Sequence, residues 1–122
     1  MVKKLIDAAM KRVPCDLLLK GGRVPNLFTM EYEELDIAVK DGIIVGMGNG
    51  FKAAKTEDCS GMTLVPGFIE GHIHVESTNM TPKMLAAAIS PLGTTTAMAD
   101  PHEIANTSGM AGVRFMERES HG

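Results

Sequence analysis

Glu70-Gly71-His72-Ile73-His74-Val75-Glu76 places two imidazoles and two carboxylates at every second position of one short stretch. In a strand, side chains two residues apart project from the same face, so His72 and His74 point the same way. At that spacing both rings reach a single metal ion roughly 2.0–2.2 Å from each nitrogen. Ile73 and Val75 then face the surrounding helices, and Glu76 stays on the histidine side near the C-terminal end of the strand. A second polar run, Asp100-Pro101-His102-Glu103, follows directly on Thr94 to Ala99. His102 and Glu103 could supply a proton shuttle, a substrate hydrogen bond or a further metal ligand.

Plainer explanations exist for both runs. The histidines could be ordinary polar residues of a half-exposed strand, and a lone His-x-His is a weak signal. Asp100 or Asn106 could cap the next helix, with His102 and Glu103 solvated in its first turn. Parallel-sheet context, the Pro66-Gly67 lead-in and the second polar cluster tilt the balance toward a metal. A divalent cation pairs with carboxylates and neutral imidazoles that are otherwise costly to bury. It also lowers the pKa of water toward about 7, generating hydroxide that attacks an amide carbonyl or a ring carbon bearing an amino group. Hydrolysis or deamination is the reaction class implied.

The elements that must position these residues follow from periodicity. Residues 3 to 13 space Leu5, Ile6, Ala9, Met10 and Val13 as one helical face, and Pro14 is the expected stop. Residues 16 to 20 read as a short strand and Gly21-Gly22 as a turn. Leu35, Ile37 and Val39 alternate up to Asp41-Gly42, a hairpin signal because both turn positions need positive φ. Residues 16 to about 65 are therefore expected to form a small antiparallel β unit. Beyond it, Phe68 to Val75 reads as a strand and Thr81-Pro82 as an N-cap with proline at the first helical position. Met84, Leu85, Ala88 and Ile89 line one face of that helix. Thr94 to Ala99 forms the next strand, and a helix near Gly109 to Glu119 carries Met110, Val113 and Met116 inward. Strand, helix, strand is a βαβ unit and implies a parallel sheet.

The fold class expected is α/β: residues 1–66 a helix plus part of a β-sandwich, residues 67–122 the start of a (β/α)₈ barrel. A closed barrel takes ~250 residues, so about two of its eight units are present. Composition narrows the class further. A net charge of −3 offers no basic footprint, so no nucleic-acid partner is expected. Apolar runs fall far short of the ~20 residues of a membrane helix, and no secretory signal is evident. Cys15 and Cys59 form no metal-type spacing, which fits a reduced, cytoplasmic protein.

Val65-Pro66-Gly67-Phe68-Ile69-Glu70-Gly71-His72-Ile73-His74 is similar to the first barrel strand of the amidohydrolase superfamily. The stretch from Asp16 to Val24 and the hairpin through Asp41-Gly42 match that superfamily's small β domain. His74-Val75-Glu76-Ser77 with Met80-Thr81-Pro82 resembles the adenine deaminase family within it. So do Gly93-Thr94-Thr95-Thr96 and the run from Ala99 to Asn106. The resemblance implies hydrolysis of adenine to hypoxanthine and ammonia with manganese foremost, or iron or zinc. By matching position, His72 and His74 become metal ligands, and Glu76, His102 and Glu103 catalytic positions.

The family also draws ligands from later strands, and His121 is the only later histidine here. The chain alone is therefore expected to be inactive. An exposed strand edge further predicts a homo-oligomer. Rival readings are a dihydroorotase-like or N-acetylglucosamine-6-phosphate deacetylase-like amidohydrolase, or a non-catalytic interaction module. Glu76 and Ser77 stand where dihydroorotases place an arginine, which favours a neutral, amino-bearing substrate. The cytidine-deaminase zinc site is excluded because no Pro-Cys-x-x-Cys is present.

Overall fold

Alternating apolar residues and tight turns build a four-stranded sheet in the first half of the chain. A computed structural model describes residues 2–121 and divides the chain into a unit ending at Val65 and one beginning at Pro66. The first holds helix α1 (Val2–Ala9) and strands β1 (Cys15–Asn26), β2 (Glu31–Lys40), β3 (Ile43–Met47) and β4 (Ala53–Asp58). Sheet order is β3-β2-β1-β4, with β1–β2 and β2–β3 antiparallel. Asp41 and Gly42 turn the β2–β3 hairpin at φ of 50° and 74°, the conformation their types predict. Asp16 pins that turn, accepting from the Asp41 N–H at 2.8 Å and from the Lys40 ammonium.

Three expectations for this unit are corrected. Helix α1 stops at Ala9, well before Pro14, because Lys11 swings to a φ of 60°. Gly21-Gly22 is not a turn: β1 runs through it with a bulge between Leu19 and Gly22. The Gly21 N–H is satisfied by the Asp36 carboxylate at 3.0 Å, and a Cβ on Gly22 would lie 2.5 Å from Leu64. The pair of glycines thus lets another segment approach the strand closely. The sheet is also not purely antiparallel, since β4 pairs parallel with β1. Ala8, Cys15, Leu18 and Ala38 form the core, with Val45, Phe51 and Ala53 packed against it.

The second unit is the expected βαβ arrangement. Strands β5 (Phe68–Ile73) and β6 (Thr94–Ala99) pair parallel, joined through a 3₁₀ turn (Val75–Thr78) and helix α2 (Pro82–Ile89). Thr81 caps α2, its hydroxyl accepting from the Met84 N–H at 3.3 Å, with Pro82 next in line. Helix α3 (His102–Glu119) begins at the polar run rather than at Gly109. Gly109 breaks it, with φ 57° and ψ −149°, and this redirects its inward face. Met110 is consequently 64% exposed, whereas Gly112 and Met116 are buried. Strand β5 ends at Ile73, short of Val75, because the chain turns at His74 into the 3₁₀ turn. Val75, Leu85 and Met116 make this unit's core, with Ile73, Ile89 and Ile104 against them. Among the described residues, no helix is long and apolar enough to cross a membrane.

Candidate metal centre

The ladder between β5 and β6 gathers the polar residues. The Asp100 N–H donates to the Ile73 carbonyl at 3.0 Å, extending the parallel pairing one step past Ala99. That bond sets the end of β6 beside His74, and Pro101 then turns the chain into α3. The His72 and His74 Nε2 atoms lie 3.1 Å apart, their rings nearly perpendicular at 84°. Spacing of two has placed both imidazoles on one side, as strand geometry requires.

Asp100 fixes two of the rings. Its carbonyl oxygen lies 3.0 Å from His74 Nδ1. A carbonyl can only accept, so Nδ1 is assigned the proton and Nε2 of the neutral ring keeps a free lone pair. Its carboxylate lies 3.1 Å from His102 Nδ1, which likewise leaves His102 Nε2 free. The hydrogen bond from His102, helped by the nearby His74 and His72, holds the Asp100 carboxyl below the usual carboxylate range. His102 sits edge-on to His74 with ring centroids 4.6 Å apart.

Two donor sets result, each with its ligand atoms within 4.8 Å of one another: His72, His74 and Asp100, and His74, His102 and Glu103. Imidazole nitrogen with carboxylate oxygen is a donor set suited to divalent zinc, iron and manganese. Lone pairs converging at this distance repel unless a proton or cation lies among them, so the residues present fit a metal ion. Histidine nitrogens oriented by a carbonyl or carboxylate at the other ring position are the usual arrangement at such centres.

The remaining predicted residues are placed as follows. Glu76 is on the 3₁₀ turn rather than on the strand, and its Oε1 accepts the Ile104 N–H at 3.1 Å. It therefore caps the first turn of α3, a task that the plainer of the two sequence readings left to Asp100 or Asn106. Glu76 Oε2 is buried and has no hydrogen-bond partner among the described residues. An acceptor left this way costs free energy unless a donor arrives. Glu103 faces the cluster and accepts from the Ser77 hydroxyl. Sequence reasoning missed the double service of Asp100, although its place two residues before His102 was a usable signal. An apolar groove lined by Val75, Leu85, Ile89, Thr94 and Ala97 contains none of these polar residues.

Residues 63–122 match the amidohydrolase family. Over 115 residues, 94% of this chain, the sequence is 46% identical to adenine deaminase 2 of Carboxydothermus hydrogenoformans, covering 20% of that protein. It is 44% identical over 115 residues to the adenine deaminase of Oceanobacillus iheyensis, again 94% of this chain and 20% of the relative. With that of Bacillus subtilis the identity is 43% over 111 residues, 91% of this chain and 19% of the relative. The chain thus spans about a fifth of the length of the relatives it matches.

Among solved structures, a prolidase complexed with N-methylphosphonate-L-proline superposes with a TM-score of 0.56 at 24% identity, covering 77% of this chain and 29% of that one. The L-hydantoinase of Arthrobacter aurescens gives 0.55 at 26% identity, with 71% and 21% covered. These neighbours are amidohydrolase barrel enzymes, so the α/β fold class with its partial βα units holds.

Proposed function

We propose that this chain, whose residues 63–122 match the amidohydrolase family, is the first-strand portion of an adenine deaminase centre. The observation that carries this reading is the convergence of His72 and His74 Nε2, 3.1 Å apart, beside Asp100. The reaction is hydrolysis of adenine to hypoxanthine and ammonia. His72 and His74 hold a divalent ion, manganese foremost, with Asp100 close enough to join them. The ion supplies Lewis acidity, lowering the pKa of water toward about 7.

The chain's own residues do the rest. The Asp100 carbonyl keeps His74 in the tautomer that offers Nε2. Glu76 Oε2, lacking a donor in its buried position, accepts a proton or N–H from the substrate side. His102 and Glu103, beside His74, move a proton toward the departing ammonia. A neutral purine suits these groups better than an anionic substrate, since Glu76 and Ser77 stand where dihydroorotases place an arginine. Purine salvage, a cytoplasmic location and self-association belong to the same reading.

Since the chain spans a fifth of its relatives, we do not expect it to turn over substrate unaided. Complementation tests the proposal: the chain is co-expressed with the part of the Oceanobacillus iheyensis enzyme that follows the matched fifth, in manganese-supplemented medium. Hypoxanthine formed from adenine, and lost with His72→Ala plus His74→Ala, supports the proposal. An assembly that binds metal and hydrolyses a cyclic amide but not adenine would favour the dihydroorotase-like alternative.

A further inference from the structure

Ser77 lies on the 3₁₀ turn that follows β5, three residues beyond His74. Its hydroxyl is 3.0 Å from Glu103 Oε1 and 3.2 Å from Oε2. One O–H therefore serves both oxygens of the carboxylate and restrains the rotation of its plane. Glu103 has no other side-chain partner among the described residues. It lies one residue into α3, on a segment whose start is tied to the same 3₁₀ turn by the Glu76–Ile104 bond. The turn thus holds the α3 start through two adjacent residues, one bonding backbone and the other a carboxylate.

We propose that Ser77 is a positioning residue that holds the Glu103 carboxylate beside His74 and His102. This rests on the metal-centre reading above and adds to it the residue through which β5 aims a group carried by α3. Glutamate has three side-chain torsions, and an unrestrained one spends most of its time away from any single acceptor position. A hydroxyl bond to the carboxylate selects the rotamer in which an oxygen falls within 4.8 Å of ring nitrogens of both histidines. Outer partners of this kind are worth roughly 10–100-fold in metal affinity where they have been removed.

The test is zinc binding by the purified 122-residue chain, measured by competition with a chromophoric chelator for the unaltered protein, Ser77→Ala, Ser77→Thr, Glu103→Gln and the Ser77→Ala/Glu103→Gln pair. Far-UV circular dichroism checks that each variant keeps its secondary structure. Ser77→Ala is expected to weaken binding about tenfold, at the lower end of the range for such partners, and Ser77→Thr to restore it. In the Glu103→Gln background, Ser77→Ala should add no further loss, because its effect passes through that carboxylate. Unchanged affinity in Ser77→Ala, or an equal loss in both backgrounds, would overturn the role of Ser77 while leaving the metal centre standing. No zinc binding by the unaltered chain would overturn the metal centre itself, and the role of Ser77 with it.

Discussion

The two units spend their polar residues differently. In the unit ending at Val65, charged side chains close turns and pair across the surface: Asp16 with Lys40, Asp7 with Arg12, Lys55 with Glu57. In the unit beginning at Pro66, the only such pair among the described residues is His102 with Asp100, and it lies inside a group of converging donors. Its strands meanwhile leave Phe68, Ile69 and Met98 exposed. Polar groups that finish a sheet act as scaffold. Polar groups gathered at strand ends, with unfilled acceptors among them, are arranged for a ligand.

Core truncation should separate the two most sharply. Leu18→Ala empties the centre of the first unit's core, where Leu18 is 5% exposed, and is expected to cost roughly 2–5 kcal/mol. The urea midpoint of the sheet unit should fall, while zinc affinity, which depends on the other unit, should not change. A variant that lost zinc as well would break the division between scaffold and site. Removing the α2 cap with Thr81→Ala should cost about 1 kcal/mol, seen as faster amide exchange in the first turn of the helix.

The smallest effect concerns pH and belongs to the sheet unit alone. Hydrogen bonds from Lys40 and the Asp41 N–H hold the Asp16 carboxyl below its ordinary value of about 3.9. Stability from this contact is therefore complete above that value and is lost as pH falls through the lower folded one. Lys40, raised by the same bond, loses its share only as pH climbs beyond its ordinary value of about 10.4. Acid titration of Asp16→Asn should show a shallower decline in stability than the unaltered chain, the variant being the less stable at neutral pH and the gap closing as pH falls through the folded value.

Much of this was legible in residue types because local chemistry decides it. Asp41-Gly42, Thr81-Pro82 and the strand Thr94–Ala99 each appear where turn, cap and β-branched preferences put them. The shared face of His72 and His74 follows from a period of two. What escaped was set by non-local pairing. Nothing local in Gly21-Gly22 distinguishes a turn from a bulge under Leu64, and nothing in Ala53–Asp58 announces a parallel partner in β1. The placing of Met110 depended on Gly109 breaking the helix, which a regular helical period cannot register. Asp100 read as a strand end because its service to His74 runs through a backbone carbonyl, invisible in a side-chain pattern.

The claim most open to direct test is that His72 and His74 jointly hold a divalent ion. Metal content after loading with manganese, iron or zinc and removal of excess, measured by plasma mass spectrometry, decides it for the unaltered chain and for His72→Ala plus His74→Ala. The account predicts stoichiometric metal in the first and none in the second. Equal metal in both, or none in either, would contradict it.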